Sequence, residues 1–538
     1  MAGKLWLWCG EAAVPDPAPL LGLERWRSGM GRLSCHDAVL VWGADSWPGE
    51  QAACGSGAEG DEVACADGGK PWVLNAGAAA VAAMSGDGLA QRLELSGISS
   101  RAEEPGRLLR IAVFHMETLF VERVRGLGWA AHGELRLDKS RSQRIGQNGI
   151  KAAFSGRAEE LAAISKSEDA DWRTAPAEPE DADMKRACRF AKRIVYELQL
   201  DAAEVFVRLG DSGRLYAEAV RLPGCLSLLP TGSEGAPPEA KELAVLSPSF
   251  WSPAVRRLQL LVKSEALRQS GESPTVLRIG ADPEFLIVRA NGRVFSAAGL
   301  GGLHSPVGSD MLIRGRNLRQ PVGELRPEPA TSEEELLRSL RRLLALAARR
   351  GIREPGMRLA AGAMPVPGIA LGGHVHLSGI ALTSRLLHVM DSYAAIPLAL
   401  AEDPSGKNRR PRYGTFGDSR HQPHGGFEYR TLPSWLVSPA AARYALAISM
   451  LIAEDFAWLD DLPSVEETYI RAYYQGNRHV LAGCLPRLRA ALEKAPSYDK
   501  RRPMLEPLLD AVEAGAVWDE SLDIRIKWGI QSVVQSNS

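Results

Sequence analysis

Two histidines two residues apart, His374 and His376, sit in the run Gly372-Gly373-His374-Val375-His376-Leu377-Ser378. Strand side chains alternate between faces, so in a strand both imidazoles point the same way. Three further runs repeat this spacing with charged residues: Asp282 and Glu284, Glu324 and Arg326, Glu428 and Arg430. Each pair taken alone has a plainer reading, as a solvated strand edge, a local ion pair or a structural histidine. Four of them between residues 282 and 430 argue instead for one charged sheet face. Burying such a face without partners would cost roughly several kcal/mol per ion, and a bound metal with a polyanionic ligand would relieve that cost. Imidazoles among many carboxylates suit Mg2+ or Mn2+, with Zn2+ the softer alternative. Guanidinium groups beside such a cation are what a phosphoryl-transfer site needs. Arg409, Arg410 and Arg412, ahead of Tyr413-Gly414, together with Arg420, supply them. His421 and His424 lie in a Pro/Gly loop and read as solvent-exposed.

The elements that must carry these groups can be read from the C-terminal half. Val276 to Ile279 is strand-like and leads into Asp282. Leu277, Ile279 and Phe285 alternate with the acids and mark a core-facing side. Ala290-Asn291-Gly292 predicts a hairpin between Phe285–Arg289 and Arg293–Phe295. Thr331 to Arg350 predicts the clearest helix: Ser332 caps it, Glu335 completes a capping box, basic residues fill its last turn and Gly351 stops it. Ser438-Pro439 starts another helix to about Trp458, and from Val465 the chain is mostly helical.

A chain of 538 residues exceeds one ordinary domain. The polar stretch Arg268 to Pro274 is the best boundary, giving modules at 1–267 and 272–538. With 45% hydrophobic and 24% charged residues and a net charge of -1, the composition is that of a soluble protein and offers no nucleic-acid or membrane surface. No apolar run reaches the roughly 20 residues of a membrane span, and the first residues have no apolar core for a secretion signal. The seven cysteines are odd in number and form no CxxC pair, which favours a reducing, cytoplasmic setting. Cys54 and Cys65, around a Gly-rich stretch, are the one local pairing to consider. P-loop, GxSxG and HExxH signatures are all missing from the sequence.

The N-terminal half predicts an α/β module. Ala38–Gly43 and Trp72–Asn75 read as strands, Ala78–Leu95 as a helix stopped by Gly97, and Leu108–Phe114 and Leu119–Val124 as further strands. Glu159–Ser165 is a short helix candidate and Lys166–Asp183 a solvated linker. Met184–Leu198 reads as a helix, and Glu204–Leu209 with Arg214–Leu222 as a hairpin around Gly210–Gly213. Pro253–Leu267 reads as a helix leading out. Val73-Leu74-Asn75, Gly97-Ile98 and Leu198 to Val205 faintly resemble the ATP-grasp fold. The resemblance is to a degenerate form: Asp87-Gly88 stands where Asp-Lys is usual, and Tyr216 to Val220 contains no Asn for the terminal metal motif. An unrelated α/β domain is the alternative.

In the C-terminal half the order GADPEF, GELRP, GGHVHLSG, an Arg/Tyr-Gly loop and GFEYRT resembles the phage-type COOH–NH2 ligases (amidoligase type 2) of the glutamine synthetase and glutamate–cysteine ligase superfamily. The match runs from about Val276 to Trp435. The resemblance implies an α+β domain with a curved antiparallel sheet of the glutamine synthetase catalytic type, flanking helices, and ATP with Mg2+ or Mn2+ as cofactors. It further implies that Asp282, Glu284, Glu324, His374 and Glu428 hold the metals. His376, with Arg420 and Arg326, falls to the nucleotide, and Arg430 with Arg409 or Arg412 to the phosphoryl group in transit. The activity it implies is ATP-dependent joining of a small-molecule or peptide acid to an amine through an acyl phosphate. An ATP- and metal-binding scaffold without catalysis, or a metal-dependent hydrolase, are the rival readings.

Overall fold

The computed structural model describes residues 3–10, 16–27, 30, 33–48, 70–100, 104–124, 181–232, 236–272, 275–302, 305–314, 317–422 and 426–530. They fall into two compact units, one comprising residues 1–67, 71–94 and 98–267 and the other 68–70, 95–97 and 268–538. The expected helix at 159–165, most of the linker 166–183, the pair Cys54 and Cys65, and His424 lie outside the described residues. None of the described cysteines Cys9, Cys35, Cys188, Cys225 and Cys484 is in a disulfide.

The first unit is mixed α/β. Strands β1 (Leu5–Trp8), β2 (Glu24–Arg25), β3 (Ala38–Val41) and β4 (Trp72–Leu74) form a parallel sheet in the order β2-β1-β3-β4. Strands β5 (Gly106–Phe114), β6 (Glu117–Arg123), β7 (Ala202–Gly210), β8 (Leu215–Arg221) and β9 (Leu229–Pro230) form an antiparallel sheet in the order β6-β5-β7-β8-β9. Helix Ala182–Glu197 is capped by the Asp181 side chain, and its stripe Ala187, Cys188, Ala191, Ile194 and Val195 shares one core with β5 and β7. The expected helix over 78–95 is two, Ala78–Ala83 and Gly86–Leu95. Gly86 and Gly88 each weaken a continuous helix by about 1 kcal/mol. The Ser85 hydroxyl accepts from the Gly88 N–H and starts the second one. Asn75 is buried in a left-handed conformation. Its side-chain oxygen accepts from the N–H groups of Asp201 and Ala202 at 2.6 and 2.7 Å, and its amide donates to Val41 O. Two stretches that resembled one fold at a distance in sequence are therefore stapled together, and Asn75 is consumed by the staple.

The second unit is built on an eight-stranded antiparallel sheet. Its strands are β10 (Arg278–Val288), β11 (Val294–Phe295), β12 (Val307–Arg314), β13 (Asn317–Leu325), β14 (Arg358–Ala360), β15 (Gly373–Ser378), β16 (Ser419–His421) and β17 (Phe427–Tyr429). The main path runs β12-β13-β10-β15-β17-β16, with β11 and β14 also on β10. The hairpin after β10 forms as expected: Val288 pairs with Val294, and Gly292 takes φ +78°. Ile279, Phe285 and Ile287 are fully buried on one side of β10. Helix Glu333–Gly351 lies against β10, where a Cβ on Gly351 would press on Ile287. The Ser332 hydroxyl caps this helix at the Glu335 N–H, and the helix runs through Gly351 itself before Ile352 ends it. Helix Pro439–Asp455, capped by Ser438, is buried along most of its length and yields to a short 3-10 turn at Phe456–Trp458. The remainder is helical, from Glu467 to Lys527. Among the described residues no helix is long and apolar enough to cross a membrane.

Candidate functional site

The register of the second sheet decides which side chains meet. Asp282 lies opposite His374, and Gly280 opposite His376, between β10 and β15. His376 lies opposite Glu428, which lies opposite Arg420. On the other flank of β10, Glu284 lies opposite Glu324, which lies opposite Gly308. Directly opposed residues of an antiparallel pair share a face. Five strands thus deliver the two imidazoles, four carboxylates and Arg420 to a single side of one sheet, the side away from Phe285 and Ile287.

The centre is tight. His374 Nδ1 is 3.3 Å from Asp282 Oδ1 and 3.2 Å from Glu428 Oε1. His376 Nε2 is 3.1 Å from the same Asp282 oxygen. Asp282 Oδ1 and His376 Nε2 are buried, yet neither has a hydrogen bond of adequate geometry. Ligand atoms of Asp282, His376 and Glu428 all lie within 4.8 Å of one another. Glu428 is 1% exposed. Its Oε2 accepts from Arg420 Nε at 2.8 Å and Gln422 Nε2 at 3.0 Å, and Arg430 Nε lies 3.3 Å from Oε1. Beside this centre Glu284 Oε2 accepts from the Gly372 N–H at 2.6 Å, and Glu324 pairs with Arg326.

Two glycines keep the face open. A Cβ on Gly372 would collide with the His374 ring, and one on Gly308 with the Arg326 guanidinium. Pro283 sits between the two acids of β10, where its missing N–H removes one ladder bond from the strand.

The electrostatics follow from crowding. Burial pushes Asp282 up, but the two imidazoles overcome it and hold its carboxyl below the usual carboxylate range. Burial disfavours protonation of His374, but Asp282, then Glu284 and Glu428, raise it above an ordinary imidazole. Glu324 is pushed up to about 8 by burial first and by the Asp282 charge second, with Arg326 opposing. This carboxyl therefore holds more proton in the metal-free folded protein than in the unfolded chain between its ordinary value of 4.5 and about 8. Stability of the metal-free protein falls as pH rises through that window, by roughly a few kcal/mol. Denaturant titrations at pH 5 and pH 8.5 with chelator present are expected to show a smaller pH loss for Glu324→Gln than for the wild type. An equal loss in both would remove Glu324 from the account.

Not all the expected arginines join the cluster. Arg409 is buried, and its guanidinium donates at 2.9 Å to the carbonyls of Thr431 and Leu432. It fixes the chain after β17 through these two carbonyls. Arg412 is exposed and lies over the Tyr413 ring at 5.4 Å. Arg410 is buried too, paired with Glu402 at 2.5 Å and stacked on Tyr473. Truncating Arg409 takes the donor from the buried Thr431 carbonyl and leaves Leu432 O with the Gly373 N–H alone, at about 1 to 2 kcal/mol. Arg409→Ala is expected to lower the melting temperature by several degrees, whereas Arg412→Ala leaves both stability and turnover near wild type. Thermal melts and turnover assays check both. Gln422, which sequence reasoning missed, stands two residues beyond Arg420 and so shares its face; the same alternation that found the other pairs could have found it.

Residues 279–530 match the family model described as phage phiEco32-like COOH.NH2 ligase-type 2. No curated protein matches the chain. Among solved structures, the chain is similar to a bifunctional glutathione synthetase from Pasteurella multocida, with 12% identity and a TM-score of 0.33. That alignment covers 49% of this chain and only about half, 53%, of the other. The region that carries the histidine and carboxylate face, with the helices that follow it, is thus matched to the phage-type COOH–NH2 ligases, the family that its motif order resembles.

Proposed function

We propose that the C-terminal unit is an ATP-dependent carboxylate–amine ligase that forms an amide through an acyl phosphate. The observation that carries this reading is the convergence of Asp282, His374, His376 and Glu428, bordered by Arg420 and Arg430, on one sheet face. The buried Asp282 Oδ1 and His376 Nε2, 3.1 Å apart and without a hydrogen bond of adequate geometry, have the donor types and spacing that fit a divalent cation. Asp282, His374, His376 and Glu428 would hold it, and Glu284 with Glu324 would hold a second on the neighbouring flank. Here His376 serves as a ligand as well as a nucleotide contact. A bound Mg2+ or Mn2+ supplies charge neutralisation for the phosphates of ATP.

The chain's own groups account for the rest. Arg430 and Arg420, both at least partly exposed beside Glu428, are placed to bind phosphoryl oxygens. A carboxylate oxygen of the acid substrate attacks the γ-phosphorus of ATP and ADP leaves. The amine nitrogen then attacks the acyl carbon, the C–O bond to phosphate breaks, and phosphate carries away that oxygen while the nitrogen gives up a proton. Water must be excluded while the acyl phosphate exists. An antiparallel sheet that gathers these acids, imidazoles and Arg420 on one face is what a funnel of the glutamine synthetase type requires. For the first unit we retain the degenerate ATP-grasp-like reading, supported by the Asn75 staple between its two resembling stretches.

The test is phosphate release from Mg·ATP by the full chain against panels of carboxylic acids and amines, with product masses measured. A product lighter by one water than acid plus amine, formed only with ATP, supports the reading. Cleavage of amides without ATP would show a hydrolase. Tight Mg·ATP binding with no turnover on any pair would show a scaffold.

A further inference from the structure

A second buried carboxylate, remote in sequence, reaches the same face through the backbone. Glu520 is 4% exposed, and its two oxygens accept separately from consecutive backbone donors, Ala363 N at 2.7 Å and Met364 N at 2.9 Å. The charged groups bearing on it are acids, Glu402 and Asp403, and burial pushes its carboxyl up to about 7. A buried carboxylate without a counter-cation is costly, and two charge-assisted hydrogen bonds offset only part of that. Gly362 takes φ +131°, and a Cβ there would run into the Glu520 carboxyl, so the loop is shaped around this side chain.

The same loop continues to the site. Ala363 receives Glu520 at its N–H, and its carbonyl accepts from Leu371 N at 3.0 Å. The next residue, Gly372, donates its N–H to Glu284 Oε2 at 2.6 Å, and its carbonyl accepts from Glu284 N at 2.9 Å. His374 follows two residues on, its ring over Gly372. An unbroken run of hydrogen bonds and one peptide link therefore joins Glu520 to Glu284. Neighbouring tail residues grip the strand ahead of the loop: Asp523 accepts from Leu359 N at 3.3 Å, and Arg525 donates to Met357 O at 3.0 Å.

We propose that Glu520 is a positioning residue: by clamping the Ala363–Met364 turn it fixes the Leu371–Gly372 backbone, and so the Glu284 carboxylate and the His374 ring. The cation half of this statement rests on reading Glu284 and His374 as ligands; the backbone half does not. Outer partners that orient metal ligands typically alter affinity about tenfold or more.

The test uses the full chain with Glu520→Gln, which keeps the shape but offers one acceptor for two donors, and Glu520→Asp, which keeps both acceptors on a shorter arm. Hydrogen exchange is read on peptides covering 361–364 and 371–373, and Mn2+ affinity by calorimetry. Glu520→Gln is expected to speed exchange in both segments and to weaken Mn2+ about tenfold, with Glu520→Asp intermediate. Faster exchange at 361–364 alone, with 371–373 at the wild-type rate, overturns the proposal. So does a lowered melting temperature with unchanged Mn2+ affinity, which is what a merely structural role gives. If Glu520→Gln does not fold, Glu520→Asp with wild-type exchange and affinity overturns it equally. A wild-type chain that binds no Mn2+ refutes the ligand reading of Glu284, while the exchange arm still decides whether Glu520 governs Gly372.

Discussion

Glu428→Gln is expected to reduce ATP-dependent phosphate release by roughly a thousandfold or more, because it removes charge where phosphoryl transfer needs it most. Glu428 is the most enclosed acid of the face and touches more of it than any other residue described: His374, Arg420, Gln422 and Arg430 all lie against its two oxygens. The amide has the same shape and keeps one acceptor, so packing survives. Arg420 is 61% exposed and regains water when its partner loses charge. The expected melting temperature is therefore within a few degrees of the wild type. Phosphate release with intact circular dichroism is the measurement. Turnover within about tenfold of wild type would take Glu428 out of the site.

Gly372→Ala is expected to damage the site more than so small a change normally does. The backbone of Gly372 is not left-handed, so conformational strain is not the reason. The reason is space: the added methyl would occupy the position of the His374 ring. The imidazole must swing away, breaking its approach to both Asp282 and Glu428. The Gly372 N–H is also the donor to Glu284, so a backbone shift that relieves the clash disturbs the other carboxylate. We expect Mn2+ affinity to fall about tenfold to a hundredfold and turnover to fall with it. Titration calorimetry on the folded variant checks this; wild-type affinity would mean that the His374 ring does not hold the cation.

The charged sheet face of the candidate site was legible because it obeys a period of two. Asp282, Glu284, Glu324, His374, His376 and Glu428 each sit on a strand whose alternation is visible in the sequence, and cross-strand register then brings them together. The hairpin at Asn291-Gly292 and the capped helix Glu333–Gly351 were legible for the same reason, as local rules with little tertiary competition. Arg409 and Arg412 were not. They occupy an irregular segment without a period, and only the tertiary fold decides that one is sealed against the carbonyls of Thr431 and Leu432 while the other faces solvent. Glu520 was invisible for a different reason. Its partners are backbone N–H groups 157 and 156 residues away, and no side-chain pattern marks a backbone donor. The split of the 78–95 helix was readable in principle, since Ser85-Gly86-Asp87-Gly88 is a stop followed by a start.

Calorimetric titration of Mn·ATP into the intact chain, set beside ATP with chelator, tests the central claim most directly. Binding that requires the cation, and that disappears in Glu428→Gln, is the predicted result. ATP bound equally well without a divalent cation, or equally well by Glu428→Gln, would contradict a nucleotide and metal site on this sheet face.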